Sequence, residues 1–333
     1  MLILNYADVN LALPMKEAIV AVRRAYAAWS SGFAIMPSRL HFELPASSST
    51  CLVMPAYLPG EGGAETPPAL AIKVVSVVPG NSVRGMPTIQ GAVLVIDPES
   101  GECLALMDGA ALTAIRTGAG SGVATDLLAR DESTTLAVFG TGAQAIPQVL
   151  GVCSVRPIDT LWICARNAAN GERIAAELSR LPELPLRVHV TSDPRTALHN
   201  ADVVCTATTA VEPLFEHDAL KAGTHINAIG AFNPNMREIP ALTVASSRLF
   251  VDSHSAALKE AGDIFRAIAE GAIGRDHIIG EIGRVVSGQL TGRQTLEQIT
   301  LFKSVGMAVQ DAASASLALE RANSLGIGQQ VMW

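Results

Sequence analysis

A glycine-rich turn after residue 139 is the segment whose residue types most directly indicate a chemistry. The apolar run Thr134–Phe139 (TTLAVF) leads into a GxGxxA pattern that begins with Gly140 and Gly142. Gly140 permits a tight turn, Gly142 lets backbone N–H groups approach a phosphate, and the helix that follows directs its positive end toward it. The pattern predicts a pyrophosphate site in a βαβ unit, and a glycine turn in an unrelated α/β protein is the alternative.

The end of the next predicted strand indicates which dinucleotide would bind. The strand Asp159–Ala165 (DTLWICA) is followed by Arg166 and Asn167, with no acidic residue beside them. An acidic side chain at this point receives the 2′-hydroxyl of NAD, whereas arginine holds the 2′-phosphate of NADP through paired charge-assisted hydrogen bonds. We therefore expect NADPH as the cofactor, with NADH possible. In the alternative interpretation, Arg166 only begins a solvated helix.

Three cations stand in otherwise apolar surroundings in the first part of the chain. Lys73 interrupts the run ALAIKVVSVV, Arg39 lies in IMPSRLHFEL and Arg116 lies in LTAIRTGAG. A lysine within an apolar strand either reaches water with its ammonium group or meets an anionic partner. Two such cations facing a cofactor would bind a small carboxylate and hold its carbon near the nicotinamide, and reaching water is the alternative for each.

Composition narrows the class of partner. The 333 residues are 49% hydrophobic and 17% charged, with a formal net charge of −7. Basic residues are scattered, which disfavours nucleic acid and anionic membranes as partners. No membrane-spanning or secretory segment is visible, and the five cysteines lack metal-ligand spacing. The sequence therefore predicts a cytoplasmic protein that acts on a small molecule and has no metal site.

Periodicity predicts an α/β protein with a doubly wound parallel Rossmann sheet and a second α+β domain. Short apolar runs between residues 35 and 107 indicate a mostly antiparallel sheet behind an amphipathic helix at 14–30. Strands and helices then alternate from residue 134 to residue 252, as in a parallel sheet. A surface loop is expected at 58–68, and residues 300–323 are predicted to form one long helix that could return to the first domain.

Several sequence blocks carry a family resemblance over nearly the whole chain. They are PSRLHF, ALAIKVVSVVPGN, MPTIQGAVLVIDPESGECLALMDGAALTAIRTGAGSGVAT, VFGTGAQA, INAIGAFNPNMREI and LFKSVGMAVQD, in this order. The chain resembles the ornithine cyclodeaminase/μ-crystallin family. The resemblance implies a homodimer, a substrate-binding and dimerisation domain at 1–118 joined by a C-terminal helix at 306–333, and a Rossmann NAD(P)-binding domain at 119–305.

The resemblance also assigns roles to single residues. It implies that Arg39 and Lys73 hold the substrate carboxylate, that Lys73 is catalytic, and that Val305 lines the substrate side. Together with Gly140, Gly142 and Asn167 of the predicted dinucleotide site, the residues that it implies for cofactor binding are Thr88, Arg116, Thr117, Ala143, Gln144, Arg166, Thr206 and Ser304.

One departure from the family pattern separates the possible activities. Members that cyclodeaminate ornithine resemble GGDCPGKTEL near the fifth Rossmann strand, with a reactive aspartate, whereas this chain has Phe232 at that position. A phenyl ring cannot accept a proton, so a general base at this position is excluded. Reduction of a cyclic imine needs less acid–base assistance, and an apolar floor at Phe232 would suit its ring.

We therefore expect an NADPH-dependent ketimine reductase that acts on Δ1-pyrroline-2-carboxylate or Δ1-piperideine-2-carboxylate and forms L-proline or L-pipecolate. Three alternatives stay open. The first is an amino-acid dehydrogenase such as alanine dehydrogenase, the second is ornithine cyclodeaminase, and the third is a non-catalytic NADPH-dependent binding protein of the crystallin kind.

Overall fold

The computed structural model describes residues 1–47, 49–60, 67–181, 184 and 186–332. The chain divides into two compact units, one formed by Met1–Arg116 with Met307–Trp333 and the other by Thr117–Gly306. Both contain helices and strands, and the second contains a parallel sheet, which confirms the predicted α/β class. Part of the predicted loop at 58–68, residues 61–66, lies outside the described residues.

The first unit is built on a mostly antiparallel sheet. Within the described residues its strand order is β15-β1-β6-β5-β4-β3-β2, and β1 and β6 run parallel. The strands are β1 (Leu2–Leu4), β2 (Leu40–Leu44), β3 (Ser49–Leu58), β4 (Ala69–Val77), β5 (Ile89–Ile96), β6 (Cys103–Asp108) and β15 (Gln329–Gln330). The helices that begin in this unit are α1 (Tyr6–Ala12), α2 (Met15–Ser30), α3 (Gly109–Leu128) and α11 (Ala308–Leu325).

Helix α11 covers one face of this sheet, and we call the opposite face, on which the described side chain of Val74 is exposed, the open face. Helix α11 contacts β3, β4 and β5, and α2 packs against α11. Along β4 the side chains of Ala71, Lys73 and Val75 are buried, whereas Val74 between them is 43% exposed. Because successive side chains of a strand point to opposite faces, Lys73 lies on the covered face and Val74 on the open one.

The second unit contains a parallel sheet of the predicted Rossmann type. In the described part of the chain its strand order is β13-β12-β14-β11-β10-β7-β8-β9. The strands are β7 (Thr135–Phe139), β8 (Thr160–Cys164), β9 (Arg187–Thr191), β10 (Val203–Thr206), β11 (His225–Ala228), β12 (Arg248–Val251), β13 (Ile278–Glu281) and β14 (Thr300–Lys303). The helices between them are α4 (Ala145–Cys153), α5 (Ala168–Leu178), α6 (Pro194–Leu198), α7 (Ala241–Ser246), α8 (His254–Glu260), α9 (Gly262–Ala269) and α10 (Ile282–Val286).

The prediction of one helix over residues 300–323 is wrong at its start. Residues Thr300–Lys303 form β14, which is fully buried between β11 and β12. Gly306 then adopts a positive φ of 81°, a conformation that a helix does not contain, and α11 begins only at Ala308. The apolar residues of a central parallel strand and those of a buried helix cannot be told apart over so short a run.

Similarly, the apolar run at 35–44 becomes a strand only from Leu40, and Ile35 makes an isolated bridge to Tyr57. Pro37 between them has no N–H group to donate to a ladder.

Among the described residues, no helix is both long and apolar enough to cross a bilayer. Within the same residues, no group of three histidine, cysteine or acidic side chains could hold a metal ion.

Candidate active site

The glycine turn joins β7 to α4 in the second unit. Gly140 has a positive φ of 108°, and a Cβ atom there would collide with the carbonyl oxygen of Ala207, so the turn requires glycine. A Cβ atom at Gly142 would meet nothing within 4 Å. Internal packing therefore does not explain the missing side chain at Gly142, which leaves the backbone open to a ligand. Ala143 lies between this glycine and Gln144, the N-cap of α4.

A cavity of about 810 Å³ opens beside this turn, at the carboxyl ends of the parallel strands. This edge of a doubly wound sheet is where such folds bind their ligands. Its walls come from the ends of β7, β8, β9 and β10 and the loops that follow them. The lining residues are Phe139, Gly140, Thr141, Gly142, Cys164, Ala165, Arg166, Asn167, Asn170, Ser192, Pro194, Ala207, Thr208, Thr209, Ala210, Val211, Glu212, Pro213 and Leu214.

Arg166 and Asn167 both line this cavity directly after β8. The Arg166 side chain is exposed and can reach a ligand. Asn167 is the N-cap of α5, because its Oδ1 atom accepts a hydrogen bond from the Ala169 N–H group at 3.0 Å. The cavity therefore presents a positive charge at the point where an NAD-selective protein presents an acidic side chain.

Two predicted cofactor residues make internal contacts in the second unit. The fully buried Thr206 donates its hydroxyl hydrogen to Glu238 Oε2 at 2.9 Å, and the cavity wall begins one residue later, at Ala207. Ser304 donates its hydroxyl hydrogen to Asp252 Oδ2 at 2.7 Å. The same carboxylate accepts hydrogen bonds from the N–H groups of Val305 and Gly306. Both hydroxyls therefore hold their own loops in place.

Lys73 and Arg116 lie together in the first unit on the carboxylate of Asp311, which is not among the predicted site residues. Lys73 Nζ is 2.7 Å from Asp311 Oδ2, and Arg116 Nε is 3.0 Å from Asp311 Oδ1. The side chain of Lys73 is 2% exposed and that of Asp311 is 1% exposed. Lys73 thus has the anionic partner that its position in the strand requires, and this partner belongs to the protein.

Gln310 extends the cluster. Its Oε1 atom accepts hydrogen bonds from Arg116 Nη1 at 3.2 Å and from the Met307 N–H group at 2.9 Å. Its Nε2 atom donates to the Tyr26 hydroxyl at 2.8 Å. This network fixes the guanidinium of Arg116 and the start of α11 relative to α2.

The pKa of Lys73 is lowered to about 8, mainly because the side chain is buried; Asp311 opposes this shift by raising the pKa, and Arg116 and Arg39 contribute to it by lowering the pKa. Arg39, half-buried just before β2, is therefore an electrostatic neighbour of Lys73. Lys73 thus exchanges its proton much closer to neutral pH than an exposed lysine does.

The remaining predicted residues occupy different settings. Thr88 is exposed immediately before β5, and its carbonyl oxygen accepts a hydrogen bond from the Val78 N–H group. Thr117 is buried on α3. In the second unit, Phe232 is 41% exposed on the loop after β11, and Val305 is half-buried in the turn after β14.

The sequence around Asp311 contains a signal that could have identified this residue as part of the site. It is an acidic residue among alanines and other small residues on α11, and it ends the block LFKSVGMAVQD. A buried acid on an apolar helix needs a cationic partner, and Lys73 and Arg116, two cations in apolar surroundings, each need an anionic one. Lys73 and Arg116 are two cations that share the one carboxylate of Asp311, so these three side chains carry a net positive charge.

The glycine turn, the cavity beside it and the strand order of the second unit define a dinucleotide-binding protein of the Rossmann type, whose first unit carries a buried cationic cluster. The chain belongs to the ornithine cyclodeaminase/mu-crystallin family, whose model matches residues 1–326.

Three similar proteins are informative. The Δ1-pyrroline-2-carboxylate reductase of Bacillus cereus is 37% identical over 332 residues, which cover 99% of each chain. The structure of the Thermococcus litoralis Δ1-pyrroline-2-carboxylate reductase in complex with NADH and L-proline matches with a TM-score of 0.93 at 40% identity, covering 99% of this chain and 100% of that one. An archaeal alanine dehydrogenase dimer with bound NAD matches with a TM-score of 0.91 at 30% identity, covering 100% and 99%.

Proposed function

We propose that this protein reduces a cyclic ketimine carboxylate with NADPH, converting Δ1-pyrroline-2-carboxylate or Δ1-piperideine-2-carboxylate into L-proline or L-pipecolate. The observation that carries the proposal is the buried cluster of Lys73, Arg116 and Asp311 in a chain similar over its whole length to a reductase that binds NADH and L-proline. The cluster offers a surplus of positive charge to a small carboxylate.

The cofactor fits the cavity of the second unit. The backbone at Gly142 and the start of α4 would hold the pyrophosphate, and Arg166 would pair with the 2′-phosphate of NADPH. The positive charge at the end of β8 supports NADPH over NADH, while the relatives with bound NADH or NAD support the dinucleotide class. When bound, the nicotinamide supplies the hydride.

In this proposal Arg39 and Lys73 hold the substrate carboxylate and thereby orient the imine carbon for reduction. Orientation of this kind supplies several kcal/mol of the barrier reduction, about 7–11 kcal/mol in the best intramolecular cases. The hydride adds to the carbon of the protonated C=N bond, whose electron pair moves to nitrogen, so the product is the neutral ring amine. The Lys73 ammonium stabilises the carboxylate throughout, and Asp311 keeps that ammonium protonated and in place.

Phe232 and Val305 would form the apolar surroundings of the ring. Neither side chain can take a proton from an amine, so loss of ammonia from ornithine has no general base at Phe232. This disfavours ornithine cyclodeamination as the activity.

The open face of the first unit supports a homodimer. Leu40, Val53, Val74 and Ala92 lie in one cross-strand row over β2, β3, β4 and β5, on the face opposite Lys73. Phe42 adds a second exposed apolar side chain on β2. A contiguous apolar surface of this kind is typical of a subunit interface, and the alanine dehydrogenase relative is a dimer.

The test is a panel of steady-state assays that follows NADPH oxidation. We expect turnover with both cyclic imines, and a kcat/KM at least tenfold lower with pyruvate plus ammonium. Preference for pyruvate plus ammonium would instead establish an alanine dehydrogenase. Formation of proline from ornithine would instead indicate an ornithine cyclodeaminase. Tight ligand binding without any turnover would indicate a non-catalytic binding protein.

A further inference from the structure

Glu238, a buried carboxylate that the proposed chemistry has not used, holds two loops of the second unit together. Its side chain is fully buried and accepts five hydrogen bonds. Oε1 accepts from the N–H and hydroxyl groups of Thr208 at 2.7 and 2.8 Å. Oε2 accepts from the Thr206 hydroxyl and from the N–H groups of Gly230 and Ala231 at 2.9, 2.7 and 3.2 Å.

These donors come from two loops that follow neighbouring parallel strands. Thr208 belongs to the loop after β10, which forms one wall of the cavity from Ala207 to Leu214. Gly230 and Ala231 begin the loop after β11 that carries Phe232. Any Cβ atom at Gly230 would collide with Thr208 and with the Glu238 carboxylate, so the two loops meet as closely as backbones can.

The backbone around Glu238 holds the far side of the same wall. Its carbonyl oxygen accepts a hydrogen bond from the Leu214 N–H group at 2.9 Å, and the Arg237 N–H group donates to the Ala210 carbonyl oxygen at 2.9 Å. The wall is therefore fastened at Thr208, Ala210 and Leu214 by one short segment.

That segment is itself anchored by a buried ion pair. Asp263 Oδ1 accepts hydrogen bonds from the N–H groups of Glu238 and Ile239 at 2.7 and 2.9 Å. Its Oδ2 atom is 2.9 Å from Lys303 Nζ, and the side chains of both ionic residues are 1% exposed or less. Removing one partner of such a pair leaves an uncompensated buried charge, so loss of either residue should destabilise this segment.

We propose that Glu238 is a positioning residue. It fixes the position of the cofactor-facing wall after β10 relative to the substrate-facing loop that carries Phe232. Three of the five partners of its carboxyl group are backbone N–H groups, which can only donate, so both side-chain oxygens must act as acceptors. The inference rests on the proposed function, because it takes the cavity as the dinucleotide site and Phe232 as part of the imine site.

The test is Glu238→Gln. Either amide orientation places an NH₂ group against a backbone N–H group, that of Thr208 or those of Gly230 and Ala231, so one loop must move. We expect the Kd of NADPH, measured by fluorescence titration, and the KM of the imine to rise together by at least tenfold, a loss of about 1.4 kcal/mol each.

Asp202→Asn is the matched control. Asp202 is also a buried carboxylate of the second unit that accepts two backbone hydrogen bonds, from Thr134 and Thr135, but at the amino end of β7. It should lose thermal stability as Glu238→Gln does while its Kd and KM stay within twofold of the wild-type values. Thr208→Val, which removes only one hydroxyl from the network, is the milder second variant if Glu238→Gln fails to fold, and it should raise the same Kd and KM by about threefold.

A folded Glu238→Gln protein with wild-type Kd and KM would overturn the positioning role. If that variant does not fold, wild-type values for Thr208→Val would overturn it. Failure of the proposed function would look different, because the wild-type protein itself would then reduce neither imine.

Discussion

Replacement of Asp311 by asparagine isolates the electrostatic part of the proposed mechanism. The substitution keeps the size of the side chain but removes the negative charge 2.7 Å from Lys73 Nζ. Lys73 then remains buried beside Arg116 and Arg39 without a counter-charge, and its pKa must fall below the wild-type value of about 8. Lowering a lysine pKa means that its proton is lost at lower pH, so activity that needs the ammonium fails earlier as pH rises.

The size of the effect follows from the same geometry. An opposite charge at this distance moves a pKa by about 1–3 pH units. With a shift of about 2, the protonated fraction of Lys73 at pH 7.5 falls from about three quarters to about 3%, roughly a 25-fold loss. We expect kcat/KM for the imine to drop by about that factor at pH 7.5.

The assay is the pH profile of kcat/KM for imine reduction, because this profile reports the ionisations of the free enzyme. The wild-type profile should fall above pH about 8, and the alkaline limb of Asp311→Asn should move to lower pH. Glu320→Gln is the matched control, because it neutralises an exposed carboxylate on the same helix. An Asp311→Asn profile that coincides with the wild-type profile would refute the reasoning.

Three further predictions test separate parts of the proposal. Lys73→Ala should lower kcat/KM by at least about 100-fold and leave the Kd of NADPH nearly intact, because Asp311 keeps its pair with Arg116; loss of both would contradict its substrate role. Arg166→Asp should shift the ratio of kcat/KM from NADPH toward NADH by about 10–100-fold, and an unchanged ratio would remove the 2′-phosphate assignment. Val74→Asp should convert a dimer to a folded monomer in analytical ultracentrifugation. If the variant remains a dimer, the open face of the first unit is excluded as the subunit interface.

The sequence predicted best those elements whose signals are local. The amphipathic pattern of α2 and the glycine turn after β7 depend on residues a few positions apart, and both appear within a residue or two of the predicted bounds. The strand β14 could not be separated from a helix by periodicity, since four buried residues fit either structure. Its insertion between β11 and β12 depends on pairing with distant strands.

The candidate site was predictable in its residue types but not in its pairings. Lys73 was identifiable because a lysine within an apolar strand needs a partner, yet that partner lies 238 positions later, on α11. The sequence around Glu238 contains no local signal, because the proposed role of this residue depends on hydrogen bonds to the loops after β10 and β11. Thr206 lies at the end of β10, where a cofactor contact was predicted. Its hydroxyl group donates to Glu238, and this contact could not be predicted from the position of Thr206 in its strand.

The central claim is that Arg39 and Lys73 grip the carboxylate of the substrate. A crystal structure of the protein with NADP⁺ and L-proline tests it most directly. The account predicts both carboxylate oxygens of proline within about 3 Å of these two side chains, with Lys73 still bonded to Asp311. A proline carboxylate bound elsewhere, with both cations turned away from it, would contradict the account.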